Sequence, residues 1–92
     1  LEQTPMHIAA ANQHAHVIET LHRLGSTTID QPDSNGGWTP MHFAALHKLA
    51  NVIETLHRLG STAVDQPDND GWTPMHIAAQ KGHANVSVTL PR

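Results

Sequence analysis

Apolar residues recur along this chain at the spacing of short helices, and turn formers take over between them. Met6, Ala9 and Ala10 fall at i, i+3 and i+4, one face of a helix predicted over about residues 5–12. The alanines on that face let a neighbouring helix approach closely. After a break around Gln13-His14, Val17, Ile18, Leu21 and Leu24 mark the buried side of a second helix over about 15–24. Gly25 stops it, because glycine readily takes the left-handed conformation at a helix end. The connection over 26–37 then carries Pro32, Asp33, Ser34, Asn35, Gly36 and Gly37, a dense cluster of turn residues.

The whole pattern repeats. Thr4-Pro5-Met6-His7-Ile8-Ala9-Ala10 returns as Thr39-Pro40-Met41-His42-Phe43-Ala44-Ala45 and as Thr73-Pro74-Met75-His76-Ile77-Ala78-Ala79. The spacings are 39 − 4 = 35 and 73 − 39 = 34 residues. Self-similarity at that period means one supersecondary unit stacked on copies of itself. Each copy is also a helix start. A threonine before proline is pushed out of the helical region, its hydroxyl suits an N-cap, and proline at the first helical position loses nothing by lacking an N–H. Residues 52–60 copy 17–25 one for one, which fits recent duplication or consensus design. The expected units are about 1–33, 34–68 and a truncated 69–92, within a single domain. In the last, Ser87 and Val88 replace Ile and Glu, and Pro91 forbids continuation, so its second helix is expected to be short and frayed.

The threefold motif resembles the signature of the ankyrin repeat family, close to T-P-L-H-x-A-A, with methionine for leucine in every copy. Tetratricopeptide repeats have a similar period, but their tryptophan, tyrosine and proline pattern is absent here. The resemblance implies an all-α solenoid of helix-turn-helix units joined by projecting hairpins. One extra residue in the first connection, and Gly37 as a second, predict loose hairpins with little strand. Lys48-Leu49 departs from the Gly-His that the family prefers between helices, which Gly82-His83 keeps.

The resemblance also implies a function, protein binding through the concave helix face and the turn tips. The tips are Ser34, Asn35, Asn69 and Asp70. Leu46, His47, Gln80 and Lys81, with Ala11 and Asn12, fall on the groove side of the first helices. Trp38 and Trp72 precede the helix caps, where an indole either meets a partner or packs on its neighbour's turn. Thr4, His7, Thr39, His42, Thr73 and His76 are the signature residues, with each histidine expected to tie neighbouring units together. His22 and His57 stand where the family usually has leucine, either half-buried or displaced outward. An intracellular setting is implied by the same resemblance.

Composition removes several other classes. A chain of 92 residues with formal net charge −3 offers no clustered Lys and Arg for nucleic acid. No apolar run is long enough to span a membrane, and the N-terminus shows no secretory pattern. There is no cysteine. No P-loop, G-x-S-x-G or spaced carboxylate pair points to an enzyme, and no cofactor is implied. Among nine histidines, His14 and His16 are the only close pair, too few for a zinc site without further ligands. Glu19 and Glu54 precede Arg23 and Arg58 by four, the spacing of exposed helix ion pairs. The rival reading is a scaffold, designed or part of a longer array; Leu1-Glu2 at the start fits an expression remnant or the interior of a longer protein. Ile8, Val17 and Ile18, uncovered by any preceding unit, would then drive end-to-end self-association.

Overall fold

The computed structural model describes residues 3–47 and 49–80. Five α-helices run in order through them: α1 Pro5–Ala11, α2 Ala15–Arg23, α3 Pro40–Leu46, α4 Ala50–Arg58 and α5 Pro74–Gln80. They pack in two layers. α1, α3 and α5 lie side by side in one, while α2 backs α1 and α4 backs α3 in the other. The final stretch expected to fray, with Lys81, Gly82 and His83, lies outside the described residues.

Helix lengths follow from their ends. Thr4 and Thr39 are extended, with φ of −89° each and ψ of 164° and 166°, and Pro5 and Pro40 open the helices behind them. α1 and α2 end one residue short of expectation, with Asn12 and Leu24 as C-caps. Behind α4, the Ser61 N–H donates to the Leu56 carbonyl at 2.9 Å and the Gly60 N–H to His57 at 3.0 Å. This paired closure requires a left-handed residue, and Gly60 sits at φ +103°.

The same closure ends α1, where His14 donates to Ala9 at 2.9 Å and Gln13 to Ala10 at 3.4 Å. Here the left-handed position is filled by Gln13, at φ +63°. An L-residue there is strained by roughly 1–2 kcal/mol, partly offset by the extra entropy a glycine loses on folding. Gln13→Gly is therefore expected to raise stability by about 0.5–1 kcal/mol, read as a higher urea midpoint; an unchanged or lower midpoint contradicts it.

The core runs between the layers. Met6, Ala9 and Ala10 of α1, Met41, Ala44 and Ala45 of α3, and Ala78 of α5 are buried where their helices meet. Ile18, Val52, Ile53 and Leu56 fill the space behind them from the second layer. Burial differs between identical stretches. Val52 is fully buried, yet its counterpart Val17 is 43% exposed and Leu24 is 73% exposed. This corrects the expectation that Val17 and Leu24 lie on a buried face. α4 is covered by α2, but among the described residues nothing covers the corresponding side of α2. Ile18, expected to be bare, is instead fully buried, because it faces the core between the layers and not the uncovered side.

The expected ion pairs also rearrange. Arg58 pairs with Glu19, joining α4 to α2, in place of the i, i+4 partner Glu54. The two helices run alongside each other, which brings the Glu19 carboxylate within reach of the guanidinium. Both side chains are exposed, so the pair contributes about 0–1 kcal/mol.

No strand forms in the connections among the described residues; the only regular piece is a 3-10 turn over Ala63–Asp65. They are fastened nonetheless. The Asp30 carboxylate accepts from the Thr62 N–H at 2.9 Å and from the Ser61 and Thr62 hydroxyls, holding one connection against the next.

Candidate binding groove

The motif histidine works in two directions at once. In α3, the Thr39 N–H donates to His42 Nδ1 at 3.0 Å, and the His42 N–H returns a bond to Thr39 Oγ1 at 3.4 Å. This is a capping box with histidine in the place of the usual Glu or Gln. Because Nδ1 accepts, the ring proton sits on Nε2, which donates to the Trp72 carbonyl at 2.9 Å. α1 does the same: Thr4 N–H meets His7 Nδ1 at 3.1 Å and Nε2 reaches the Trp38 carbonyl at 2.7 Å. His7 and His42 are fully buried, and each fastens its helix to the backbone that leads into the next helix of the layer. His76 builds the same box with Thr73 while standing exposed.

Burial lowers the pKa of His42 from its ordinary value, against the opposing pull of the Trp72 carbonyl and of Asp68 and Asp33. The neutral ring is what the site needs, since a proton on Nδ1 would face the Thr39 N–H. A group with a lowered folded pKa takes up fewer protons folded than unfolded, so stability rises with pH. The contribution of His42 is full above the unfolded value near 6.5 and is lost as pH falls from there through the folded pKa. The urea midpoint should drop between pH 7.5 and pH 5.5, and His42→Gln should flatten that drop; an equal drop in the variant excludes His42 as its source.

An aspartate organises each turn. The Asp33 carboxylate accepts from the Trp38 N–H at 2.9 Å, and the Asp33 N–H donates to the Trp38 carbonyl at 2.7 Å. Asp68 repeats this with Trp72, at 2.9 and 2.7 Å, and also accepts from the Asp70 N–H at 2.8 Å. Neighbouring turns are then joined. The Trp38 indole N–H donates to Asp68 Oδ2 at 2.8 Å, and the Asn69 N–H donates to the Gly36 carbonyl at 2.8 Å. The extra Gly37 fits because it sits at φ +76° against the Asn69 backbone, where a Cβ would lie 3.2 Å from its nitrogen. Burial would raise the pKa of Asp68, but the donors from Trp72, Asp70 and Trp38, with His42 nearby, prevail and hold it below the ordinary carboxylate value.

Between these turns and the α3–α5 layer opens a groove of about 300 Å3. Trp38, Asp68, Asp70 and Trp72 form the turn side, and Leu46, Ile77 and Gln80 the helix side. The two indoles differ. Trp38 is half-buried, packed 5.0 Å from Phe43 and 5.4 Å from His42 between ring centroids, and its N–H is engaged. Trp72 is 39% exposed and touches His76 edge-on at 5.8 Å.

The groove thus brings together Trp38, Leu46, Asp70, Trp72 and Gln80 of the residues singled out in the sequence. Ser34, Asn35 and Asn69 are exposed at the turn tips, and His47 is exposed as the C-cap of α3, all outside the groove lining. Lys81 lies outside the described residues. His22 is half-buried and His57 exposed. Sequence reasoning missed Asp68 and Ile77. The signal for Asp68 was the recurrence of Gln-Pro-Asp at 31–33 and 66–68, each aspartate shortly before a tryptophan. Among the described residues, no group of three or more His, Asp or Glu is placed to hold a metal ion, and no helix is long and apolar enough to cross a membrane.

Comparison with protein families agrees with this architecture. A model described as ankyrin repeats (3 copies) matches residues 1–66, and a second, ankyrin repeats (many copies), matches 46–90. The chain belongs to the ankyrin repeat family, whose members are generally protein–protein interaction modules. A search of curated proteins finds no match.

Proposed function

We propose that this chain binds a protein partner through the groove and the adjoining turn tips, and that it is a binding module and not an enzyme. The observation that carries this is Trp72, a large exposed indole at the mouth of a groove between the turn row and the α3–α5 layer. Tryptophan is enriched among residues that dominate binding energy. Around it, Leu46 and Ile77 supply apolar wall, while Gln80, Asp70 and the tips Ser34, Asn35 and Asn69 supply polar contacts at the margin. His47, exposed at the end of α3, adds to the proposed surface, and Lys81 is proposed as a contact from its place in the sequence alone. The test compares proteins captured by the wild-type chain, by a Leu46→Glu variant and by a Glu54→Ala variant of the opposite layer. A partner lost with the first variant and kept with the second supports the groove. Partners lost equally with both, or with neither, argue against it.

A second reading, end-to-end self-association, draws on the exposed Ile8 and Val17 of the first helix pair. Light scattering across a concentration series decides it: growth in mass that Val17→Lys abolishes supports the contact, and a constant monomer mass excludes it.

A further inference from the structure

The charge and shape of the groove narrow the chemistry of the partner, given the binding role proposed above. Its described lining holds two indoles, two apolar side chains and one amide, and its only charged groups are the carboxylates of Asp68 and Asp70. The oxygens of Asp68 are engaged: Oδ1 takes the N–H groups of Asp70 and Trp72, and Oδ2 takes the Trp38 indole. Its charge therefore stays fixed in the wall. Asp70 is exposed, and among the described residues its carboxylate has no partner. An indole face is the negative side of the ring quadrupole and attracts cations. An exposed indole and a free carboxylate in one lining, with a second, hydrogen-bonded carboxylate in the same wall, thus favour a cation and repel an anion.

Guanidinium fits this wall better than ammonium. It is planar, stacks on aromatic faces, and presents a fork to a carboxylate, whereas ammonium is a compact and strongly hydrated point charge. The volume of about 300 Å3 is at the lower end of the range for ligand sites, suited to an extended side chain. We propose that the groove receives an arginine side chain of the partner, its guanidinium on Trp72 and Asp70 and its aliphatic stem along Leu46 and Ile77.

The experiment is selection of a random dodecapeptide display library on the wild-type chain, with binders screened against Trp72→Ala to retain those that use the groove. The expected result is groove-dependent peptides sharing one arginine. Replacing that arginine by lysine should weaken binding about threefold or more, and replacing it by glutamate should abolish it. On the protein side, Asp70→Asn should weaken the same peptides about three- to tenfold, while Glu54→Gln on α4 leaves them unchanged. Groove-dependent peptides without a common arginine, or binding indifferent to Asp70→Asn, overturn the arginine assignment and leave the groove reading standing. If no groove-dependent peptide emerges, both fail.

Discussion

His42→Ala is expected to lower the free energy of unfolding by about 3 kcal/mol, while His47→Ala, on the same helix system, changes it by less than about 0.5. The difference lies in what each ring touches. His42 is fully buried and closes the cap at Thr39 through Nδ1 while its Nε2–H holds the Trp72 carbonyl. Alanine leaves the Thr39 N–H without its partner, which costs about 1–3 kcal/mol where water cannot reach, and takes one of two donors from the Trp72 carbonyl, which keeps the Asp68 N–H at 2.7 Å. It also opens a void under the Trp38 ring, which packs on the imidazole. His47 is an exposed C-cap whose contribution to the cap is its backbone N–H, bonded to the Phe43 carbonyl at 3.2 Å; alanine keeps that bond. Urea titration of both variants checks the pair, and equal midpoints contradict it.

Trp72→Ala should weaken partner binding by at least about 2 kcal/mol, roughly thirtyfold, with little change in the melting temperature. The separation is possible because the hydrogen bonds to Trp72 all go to its backbone, while its indole, 39% exposed, meets the exposed ring of His76 edge-on. His42 holds the carbonyl, and Asp68 holds both the carbonyl and the N–H. Alanine keeps all of these. Trp38→Ala is a different substitution, since that indole donates to Asp68 and packs on Phe43. It should lower stability as well as binding. Calorimetric titration with a captured partner, beside thermal melts, measures both; a collapsed melting temperature for Trp72→Ala would show that its ring serves the fold.

The Thr-Pro-Met-His motif was readable in the sequence because its information is local. Cap, proline and apolar spacing all act within one turn of helix, and they place α1, α3 and α5 at Pro5, Pro40 and Pro74. What was not readable depends on a neighbour. Val17 and Val52 occupy identical sequence, yet one is 43% exposed and the other buried, because among the described residues α4 has a helix across that side and α2 has none. Arg58 has Glu54 at ideal spacing but reaches Glu19 in another repeat. Asp68 drew no attention in the sequence; its bond to the Trp38 indole spans 30 residues and comes from stacking the turns. The left-handed Gln13 hides for the same reason that glycine would have announced it.

The most direct test of the binding groove is site-specific photocrosslinking to a captured partner. A photoreactive phenylalanine analogue at Gln80, on the helix side of the groove, is compared with the same residue at Glu54, exposed on α4. The groove account predicts a covalent adduct with the partner from position 80 and none from position 54. An adduct from position 54 with none from position 80 would place the partner on the opposite layer and contradict it.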